Sequence, residues 1–173
     1  MRGGKPVEGK TVDFAVFLRP SSRAASSAIR SRLQRAVGPG GAAASINNTL
    51  FDPLRERPVA IGITTRMPSP SSRSEEDVRV RLAVWAGAQF ARLRSLCPTA
   101  ARLVDLPLVY VCGESWYPFI ASSDSLGAIS RDASDRLLQT LHGIYKVANS
   151  LRRLARWVET DFQAWFERHV LPV

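Results

Sequence analysis

Hydrophobic and polar residues follow one another along this chain in blocks whose spacing changes from strand-like to helix-like. Apolar runs rich in β-branched and aromatic residues, bounded by Pro, Gly or polar turns, predict strands at 12–18, 59–65, 108–112 and 116–122. Apolar residues recurring every three or four positions predict helices at 21–37, 74–97 and 134–158. The larger elements follow the order strand, strand, helix, strand, strand, helix, which predicts an α/β domain with a mixed sheet.

The helix at 74–97 has a well-defined inward face. Ser74 is expected to cap it, and the acidic Glu75, Glu76 and Asp77 lie in its first turn, where the helix dipole favours negative charge. Gln89 is the polar member of this face, so it is either a core side chain bonded to backbone or a contact for substrate or metal-bound water. The predicted inward residues are Val78, Leu82, Trp85, Gln89, Leu93 and Leu96.

The helix at 134–158 leads into an aromatic segment, which is expected to continue the helix and pack back on the domain. Its arginines, Arg152, Arg153 and Arg156, are predicted to face outward. Its predicted inward residues are Leu137, Leu141, Ile144, Ala148, Leu151, Ala155 and Val158. The aromatic residues that follow are Trp157, Phe162, Trp165 and Phe166.

Charge and length narrow the class of protein. The chain has 173 residues, enough for one domain, and a net charge of +9 carried almost entirely by arginine. Arginine forks suit phosphate, so nucleic acid is one reading of this charge, and solvated helix faces are the other. No stretch approaches the roughly 18 apolar residues of a membrane span. We therefore expect no membrane partner and an intracellular protein, with the nucleus as one option. Two cysteines, Cys97 and Cys112, are too few for a disulfide framework.

Three stretches of the sequence are similar to a known family. These are ASINNTLFDPLRERPVAIGITTR, the helix segment VWAGAQ…RLRSL, and SLRRLARWVETDFQAWFERHVLP. Together they resemble a family of fungal PD-(D/E)XK nuclease-like domains. The resemblance implies a restriction-endonuclease-like mixed sheet flanked by helices, forming a single domain over residues 1–173. It also implies that part of the family's N-terminal region, including its first core helix, is absent or shortened.

The same resemblance locates a catalytic site in which two of the family's groups are replaced. It places the first acid at Asp13, the glutamate of the Glu-x-Lys motif at Thr64, its lysine at Arg66, and a family histidine at Asn48. In such nucleases converging carboxylates hold Mg²⁺, which activates water. A hydroxyl at Thr64 leaves Asp13 as the candidate metal ligand, or as the partner of Arg66 or another arginine. We expect no cofactor, and Mg²⁺ only if the site is active.

Three functions are compatible with these residues. The first is a catalytically degenerate nuclease-like domain, a pseudoenzyme that binds nucleic acid or a protein without cleavage. The second is a Mg²⁺-dependent nuclease that uses Asp13 with a carboxylate relocated to Glu75, Glu76 or Asp77, with Gln89 contacting substrate. The third is an interaction module that docks through its aromatic end, from Trp157 to Phe166. His142 and His169 are expected to be structural or exposed.

Overall fold

A mixed sheet organises the molecule. The structure, a computed structural model, describes residues 12–35, 45–67, 75–125, 129–131 and 141–171. Within these ranges the sheet has the order β1-β2-β3-β4-β5. Its strands are β1 (Phe14–Phe17), β2 (Val59–Arg66), β3 (Leu106–Cys112), β4 (Ser115–Ala121) and β5 (Ile129–Arg131). The helices are α1 (Arg23–Arg35), α2 (Glu75–Leu96), α3 (Leu141–Trp157) and α4 (Gln163–His169).

The strand directions confirm the α/β architecture predicted from the sequence. β2 and β3 are parallel, whereas the other neighbouring strands are antiparallel. A parallel pair needs a long crossover, and α2 supplies it between β2 and β3. β3 and β4 form the expected hairpin, and Gly113 in its turn has a φ of 56°, a left-handed conformation that favours glycine. β5 was not predicted, because Ile129, Ser130 and Arg131 carry no strand periodicity.

Helix α2 lies against the sheet with the predicted face inward. All six residues of that face are buried: Val78, Leu82, Trp85, Gln89, Leu93 and Leu96. The helix approaches β2 closely at Gly62, where an added Cβ would lie 3.0 Å from Val12 Cγ1 and 3.1 Å from Trp85 Cζ3. Because Gln89 contacts the Val59 carbonyl at the start of β2, α2 runs antiparallel to β2. The first turns of α2 therefore lie toward the Thr64–Arg66 end of that strand.

The inward face predicted for the last helix was wrong in part. Ile144 and Leu151 are 51% and 39% exposed, Ala155 is exposed, and Val147, which was not predicted to face inward, is buried. Val158 is buried, as predicted. Arg152, Arg153 and Arg156 are exposed, as expected. Residues 134–140 of the predicted helix, like the expected cap Ser74, lie outside the described residues.

The aromatic segment packs back on the domain, as predicted. A π-helical turn (Val158–Phe162) joins α3 to α4. Phe162 and Phe166 are almost completely buried and belong to the same core cluster as the inward residues of α2. The two rings lie 6.1 Å apart, so the end of the chain completes the core.

Candidate functional site

Asp13 and Thr64 meet where β1 and β2 begin and end, respectively. The Asp13 N–H donates to the Ile63 carbonyl at 2.9 Å, which continues the antiparallel pairing of β1 with β2. Asp13 Oδ2 accepts hydrogen bonds from the Thr64 hydroxyl (2.9 Å), the Thr65 N–H (2.7 Å) and the Thr65 hydroxyl (3.4 Å). Two segments separated by about fifty residues in the sequence are thus joined side chain to side chain, as the sequence led us to expect.

Thr64 and Arg66 point to the same side of the sheet, because residues two apart on a strand share a face. Gly62, two residues before Thr64, is on this same side, and a Cβ added there would lie 3.1 Å from Trp85 of α2. Helix α2 therefore covers this side of the sheet. Thr64 pairs with Tyr110 of β3, and Arg66 pairs with Cys112. The Arg66 charge acts on the Tyr110 phenol. The positive charge of Arg66 therefore lies close to the side chains of Tyr110 and Cys112 on β3.

The carboxylate of Asp13 is stabilised in its charged form by groups of this chain. Partial burial raises its pKa, but the hydrogen bond from the Thr65 N–H and those from the two threonine hydroxyls outweigh that effect. The nearby charge of Arg81, on α2, lowers the pKa further. The net pKa of Asp13 lies below its ordinary value, so the group is ionised at neutral pH.

Tyr110 is a neutral neighbour of this site. Burial, followed by the hydrogen bond and charge of Cys112, raises the pKa of Tyr110 to about 12. Its ring stacks on Tyr117 with the centroids 5.3 Å apart. A phenol with this pKa stays protonated at neutral pH and is not a general base there.

These residues do not match the ligand set of a magnesium centre. Mg²⁺ prefers several oxygen ligands, with carboxylates supplying negative charge. Here one oxygen of Asp13 already accepts three hydrogen bonds, Thr64 contributes a neutral hydroxyl that donates to it, and Arg81 adds positive charge nearby. Within the described ranges, no group of three or more His, Cys, Asp or Glu side chains is arranged to hold a metal ion.

The acidic residues proposed to relocate the missing carboxylate lie on the first turn of α2, toward the same end of β2. Glu76 is exposed and Asp77 is half-buried. Asp77 precedes Arg81 by four residues, so the two side chains share a face of the helix. The charge of Arg81 lowers the pKa of Asp13. Asp77 lies one helical turn before Arg81, on the same face of α2.

Gln89 lies at the opposite end of β2 from Thr64 and is completely buried. Its Oε1 accepts from the Asn48 N–H at 3.0 Å, and its Nε2 donates to the Val59 carbonyl at 3.4 Å. Asn48, at the position of the family histidine, also donates its side-chain amide to the Trp85 carbonyl at 3.3 Å. The structure therefore does not bring Gln89 and Asn48 together with Asp13, Thr64 and Arg66.

Asn47 is a positioning residue that the sequence pattern did not reveal. Its side-chain amide donates to the carbonyls of Leu54 (2.6 Å) and Arg57 (2.9 Å), and its Oδ1 accepts the Val59 N–H at 2.7 Å. These bonds fix the loop that enters β2. The sequence carried only a weak signal, an Asn pair ahead of a strand, which also suits an ordinary turn.

The remaining candidates lie away from this site. The His169 ring packs against Trp165 on α4 with the centroids 5.6 Å apart, and the side chain of His142 lies outside the described residues. Cys97 is buried, as expected of a small core side chain, and Cys112 is half-buried. None of the described helices has the length and apolar character that a bilayer span needs.

Comparison with known proteins agrees with this geometry at the level of the family. No curated protein and no solved structure shows significant similarity to the chain. A family model described as the PD-(D/E)XK nuclease superfamily matches residues 3–163, which is most of the sequence. The match includes Asp13, α2 and all five strands of the described sheet, from β1 to β5. The chain therefore belongs to the PD-(D/E)XK nuclease superfamily.

Proposed function

We propose that this domain is a catalytically degenerate nuclease that binds nucleic acid without cutting it. The observation that carries the proposal is the contact between Asp13 and Thr64: a hydroxyl donates to the first acid at the position where the motif has its second carboxylate. The Thr64 hydroxyl consumes acceptor capacity of Asp13 and brings no negative charge. Metal-assisted water activation needs carboxylate oxygens that are free to bind the metal ion and that bring negative charge to it.

Positive charge around Asp13 supports phosphate binding in place of metal binding. Arg66 lies on the Thr64 face of β2, and Arg81 reaches the field of Asp13 from α2. Guanidinium groups hold phosphate oxygens through paired, charge-assisted hydrogen bonds. The net charge of +9 adds long-range attraction to a polyanion. We therefore infer that the nucleic-acid backbone is the group recognised, with little dependence on base sequence.

The binding part of the proposal is tested by fluorescence anisotropy with two labelled duplexes of unrelated sequence. We expect similar, weak affinities for both. If three phosphates are neutralised, raising the salt from about 50 to about 200 mM lowers the affinity by about 40-fold. Affinity that is high and insensitive to salt would contradict this recognition chemistry.

A charge-matched pair of variants locates the binding face. Arg66→Gln with Arg81→Gln removes two charges at the site, and Arg152→Gln with Arg153→Gln removes two from the exposed face of α3. The proposal expects the first pair to lose more affinity than the second. Equal losses would mean that the positive charge acts diffusely and that the site face is not the binding face.

The catalytic part is tested by plasmid nicking in Mg²⁺ or Mn²⁺, with EDTA as control. We expect no nicking. The relocated-carboxylate nuclease is the second candidate, and the observation in its favour is that the first turn of α2 lies toward Asp13. Nicking that is abolished by EDTA, by Asp13→Ala and by the amide variant of one acid of that turn (Glu75→Gln, Glu76→Gln or Asp77→Asn) would establish that candidate and overturn the degenerate one.

A protein-docking role for the aromatic end has less support. Phe162 and Phe166 are buried in the core, so their rings are not offered to a partner. A protein partner would have to use other surfaces of the domain. Pull-down with a Trp157→Ala variant would test this, because Trp157 is only half-buried and its loss should matter if the segment docks.

A further inference from the structure

A cleft of about 400 Å³ opens at the end of β1 that is farthest from Asp13. Its walls come from the residues after β1, the start of α1 and the loop that enters β2. Three arginines and three serines line it: Arg19, Arg23, Arg57, Ser21, Ser22 and Ser26. The lining is therefore rich in positive charge and in hydrogen-bond donors.

The acidic residue in the lining does not balance these arginines. Glu56 pairs with Arg30, which lies outside the cleft, with 3.3 Å between Glu56 Oε2 and Arg30 Nε. Among the described residues, none of the ion pairs includes Arg19, Arg23 or Arg57. The cleft thus keeps an excess of positive charge on side chains that no described carboxylate engages.

The walls of the cleft are held in place by the fold. The Leu18 N–H donates to the Pro58 carbonyl at 2.8 Å, which ties the end of β1 to the start of β2. The Arg57 carbonyl accepts from buried Asn47 at 2.9 Å. The Arg57 guanidinium lies over the Phe17 ring, 5.2 Å from its centroid. A guanidinium stacked on an aromatic ring loses less freedom when it binds a ligand.

The serines add donors beside the arginines. The Ser22 Oγ accepts the Ala25 N–H at 3.1 Å, which leaves the Ser22 hydroxyl hydrogen free to donate outward. Ser26 donates its hydroxyl hydrogen to the Ser22 carbonyl at 3.1 Å and so contributes an acceptor oxygen only. The orientation of α1 adds a modest positive potential at this end. The arginines supply most of the attraction.

We propose that this cleft binds a phosphate group, with Arg19, Arg23 and Arg57 as its principal donors. A tetrahedral dianion presents several oxygens, and planar guanidinium forks can each engage two of them. The cleft is larger than one phosphate, so the phosphate of a larger molecule can enter. The proposal goes beyond the nucleic-acid role, because the cleft lies roughly 20 Å from Asp13 at the usual rise of a strand.

The first experiment titrates the intact protein with inorganic phosphate at constant ionic strength, with chloride as the replaced anion. Arginine Nε–H signals are followed by NMR. We expect saturable shifts of a small set of these signals, and their loss in the Arg19→Gln, Arg57→Gln double variant. That variant should bind phosphate about tenfold more weakly or worse, since a hydrogen bond to a charged group is worth about one such step.

The control is Arg152→Gln with Arg153→Gln, which removes the same charge from α3 and should leave phosphate binding unchanged. Arg23→Gln, on an exposed side chain, provides a second loss of affinity if the double variant folds poorly. Shifts that do not saturate, or an equal loss in the α3 control, would overturn the proposal, because diffuse charge would then explain the binding.

The source of the phosphate is distinguished with oligonucleotides of one sequence. Tighter binding of a 5′-phosphorylated strand than of a 5′-hydroxyl strand, lost in the cleft variant, identifies a terminal phosphate. Equal binding of both strands, weakened in the cleft variant, identifies a backbone phosphate. Phosphate binding that the cleft variant loses, with oligonucleotide binding intact, identifies a free phosphate compound. All three results support the cleft, and the third leaves the nucleic-acid proposal to its own test.

Discussion

At the scale of single residues, the chemistry depends on which groups surround Asp13. One of its oxygens accepts from the Thr64 hydroxyl, the Thr65 N–H and the Thr65 hydroxyl. These donors do what a cation would do for the charge of the carboxylate. Hydrogen bonds from this chain thus keep an ionised aspartate stable at the strand end.

Restoring the Glu-x-Lys motif at residues 64 and 66 tests whether these two side chains are enough to create a metal site. We expect Thr64→Glu with Arg66→Lys to gain Mn²⁺ binding, because a second carboxylate then faces Asp13 and a compact ammonium on a flexible stem replaces the planar guanidinium. Electron paramagnetic resonance of Mn²⁺ measures the free ion directly.

The matched control keeps Arg66→Lys and places the new carboxylate away from Asp13, as Gln34→Glu at an exposed position of α1. It carries the same charge and should bind Mn²⁺ less well. If the control binds equally, added charge alone is responsible. If neither variant binds, Thr64→Glu with Arg66→Lys is not sufficient to create a metal site.

The lowered pKa of Asp13 predicts a pH dependence of stability. A carboxyl group whose pKa is lower in the folded state stabilises that state fully above its ordinary pKa of about 4. The stabilisation is lost as the pH falls through the lower folded-state value. We therefore expect wild type to exceed Asp13→Asn in free energy of unfolding at neutral pH, with the difference closing in acid.

The size of this difference is modest because Asp13 is exposed to solvent. Urea denaturation across the acid range measures it. In a Thr64→Val background, which removes one of the donors, the difference between aspartate and asparagine should shrink. A difference that grows in acid would contradict the assigned sign of the pKa shift.

At the scale of elements, the close approach of α2 to β2 sets the geometry of the site. An alanine at Gly62 would meet Val12, Trp85 and Leu108 at 3.0, 3.1 and 3.3 Å. Gly62→Ala is expected to lower the free energy of unfolding by about 1–3 kcal/mol through overpacking. Thermal and urea denaturation measure this loss.

Gly87 provides the opposite case on α2 itself. A Cβ there meets no atom within 4 Å, so Gly87→Ala should raise the free energy of unfolding by about 0.5–1 kcal/mol through helix propensity. If Gly62→Ala were also neutral or stabilising, α2 would not press on β2 as described, and the shared face of Trp85, Thr64 and Arg66 would need revision.

The sequence predicted α2 more accurately than α3, and geometry explains the difference. The inward face of α2 is covered along its length, so any apolar residue at the right interval is buried. The stripe chosen for α3 passes through Ile144 and Leu151, which are exposed, whereas Val147, outside that stripe, is buried. Periodicity alone could not separate the two faces, because all three of these residues are apolar.

The site shows the same division between what local patterns contain and what they do not. Strand patterns and the family resemblance were enough to place Asp13 beside Thr64. They could not show that Gln89 bonds to Asn48 at the far end of β2, because a lone polar residue on an inward face does not reveal its partner. Nor could they show the arginine cleft, whose lining comes from two stretches of the chain, 19–26 and 56–57, that are far apart in the sequence.

At the scale of the whole molecule, the net charge of +9 acts on both folding and binding. Like charges on a compact domain repel one another, and salt screens that repulsion. Salt also weakens the attraction between the domain and a polyanion. Added salt is therefore expected to raise the stability of the domain and to lower its affinity for a polyanion.

Ion pairs on the surface respond to salt in the opposite direction, because salt weakens their attraction while it relieves the repulsion between like charges. Arg102 pairs with both Asp105 and Asp124, at 3.1 and 3.3 Å, and salt weakens such pairs. All of these side chains are substantially exposed, and exposed pairs are worth only about 0–1 kcal/mol each. Repulsion across an excess of nine positive charges should outweigh them.

We therefore expect the Tm to rise between about 10 and about 150 mM salt, while the affinity for duplex falls over the same series. Differential scanning fluorimetry and fluorescence anisotropy in identical buffers measure the two slopes. In the Arg152→Gln, Arg153→Gln variant, which has two fewer positive charges, the Tm should start higher at low salt and rise less steeply. A Tm that falls with salt in both proteins would mean that attractive pairs such as Arg102 with Asp124 dominate, and that the positive charge is spread too widely over the surface for its self-repulsion to matter to folding.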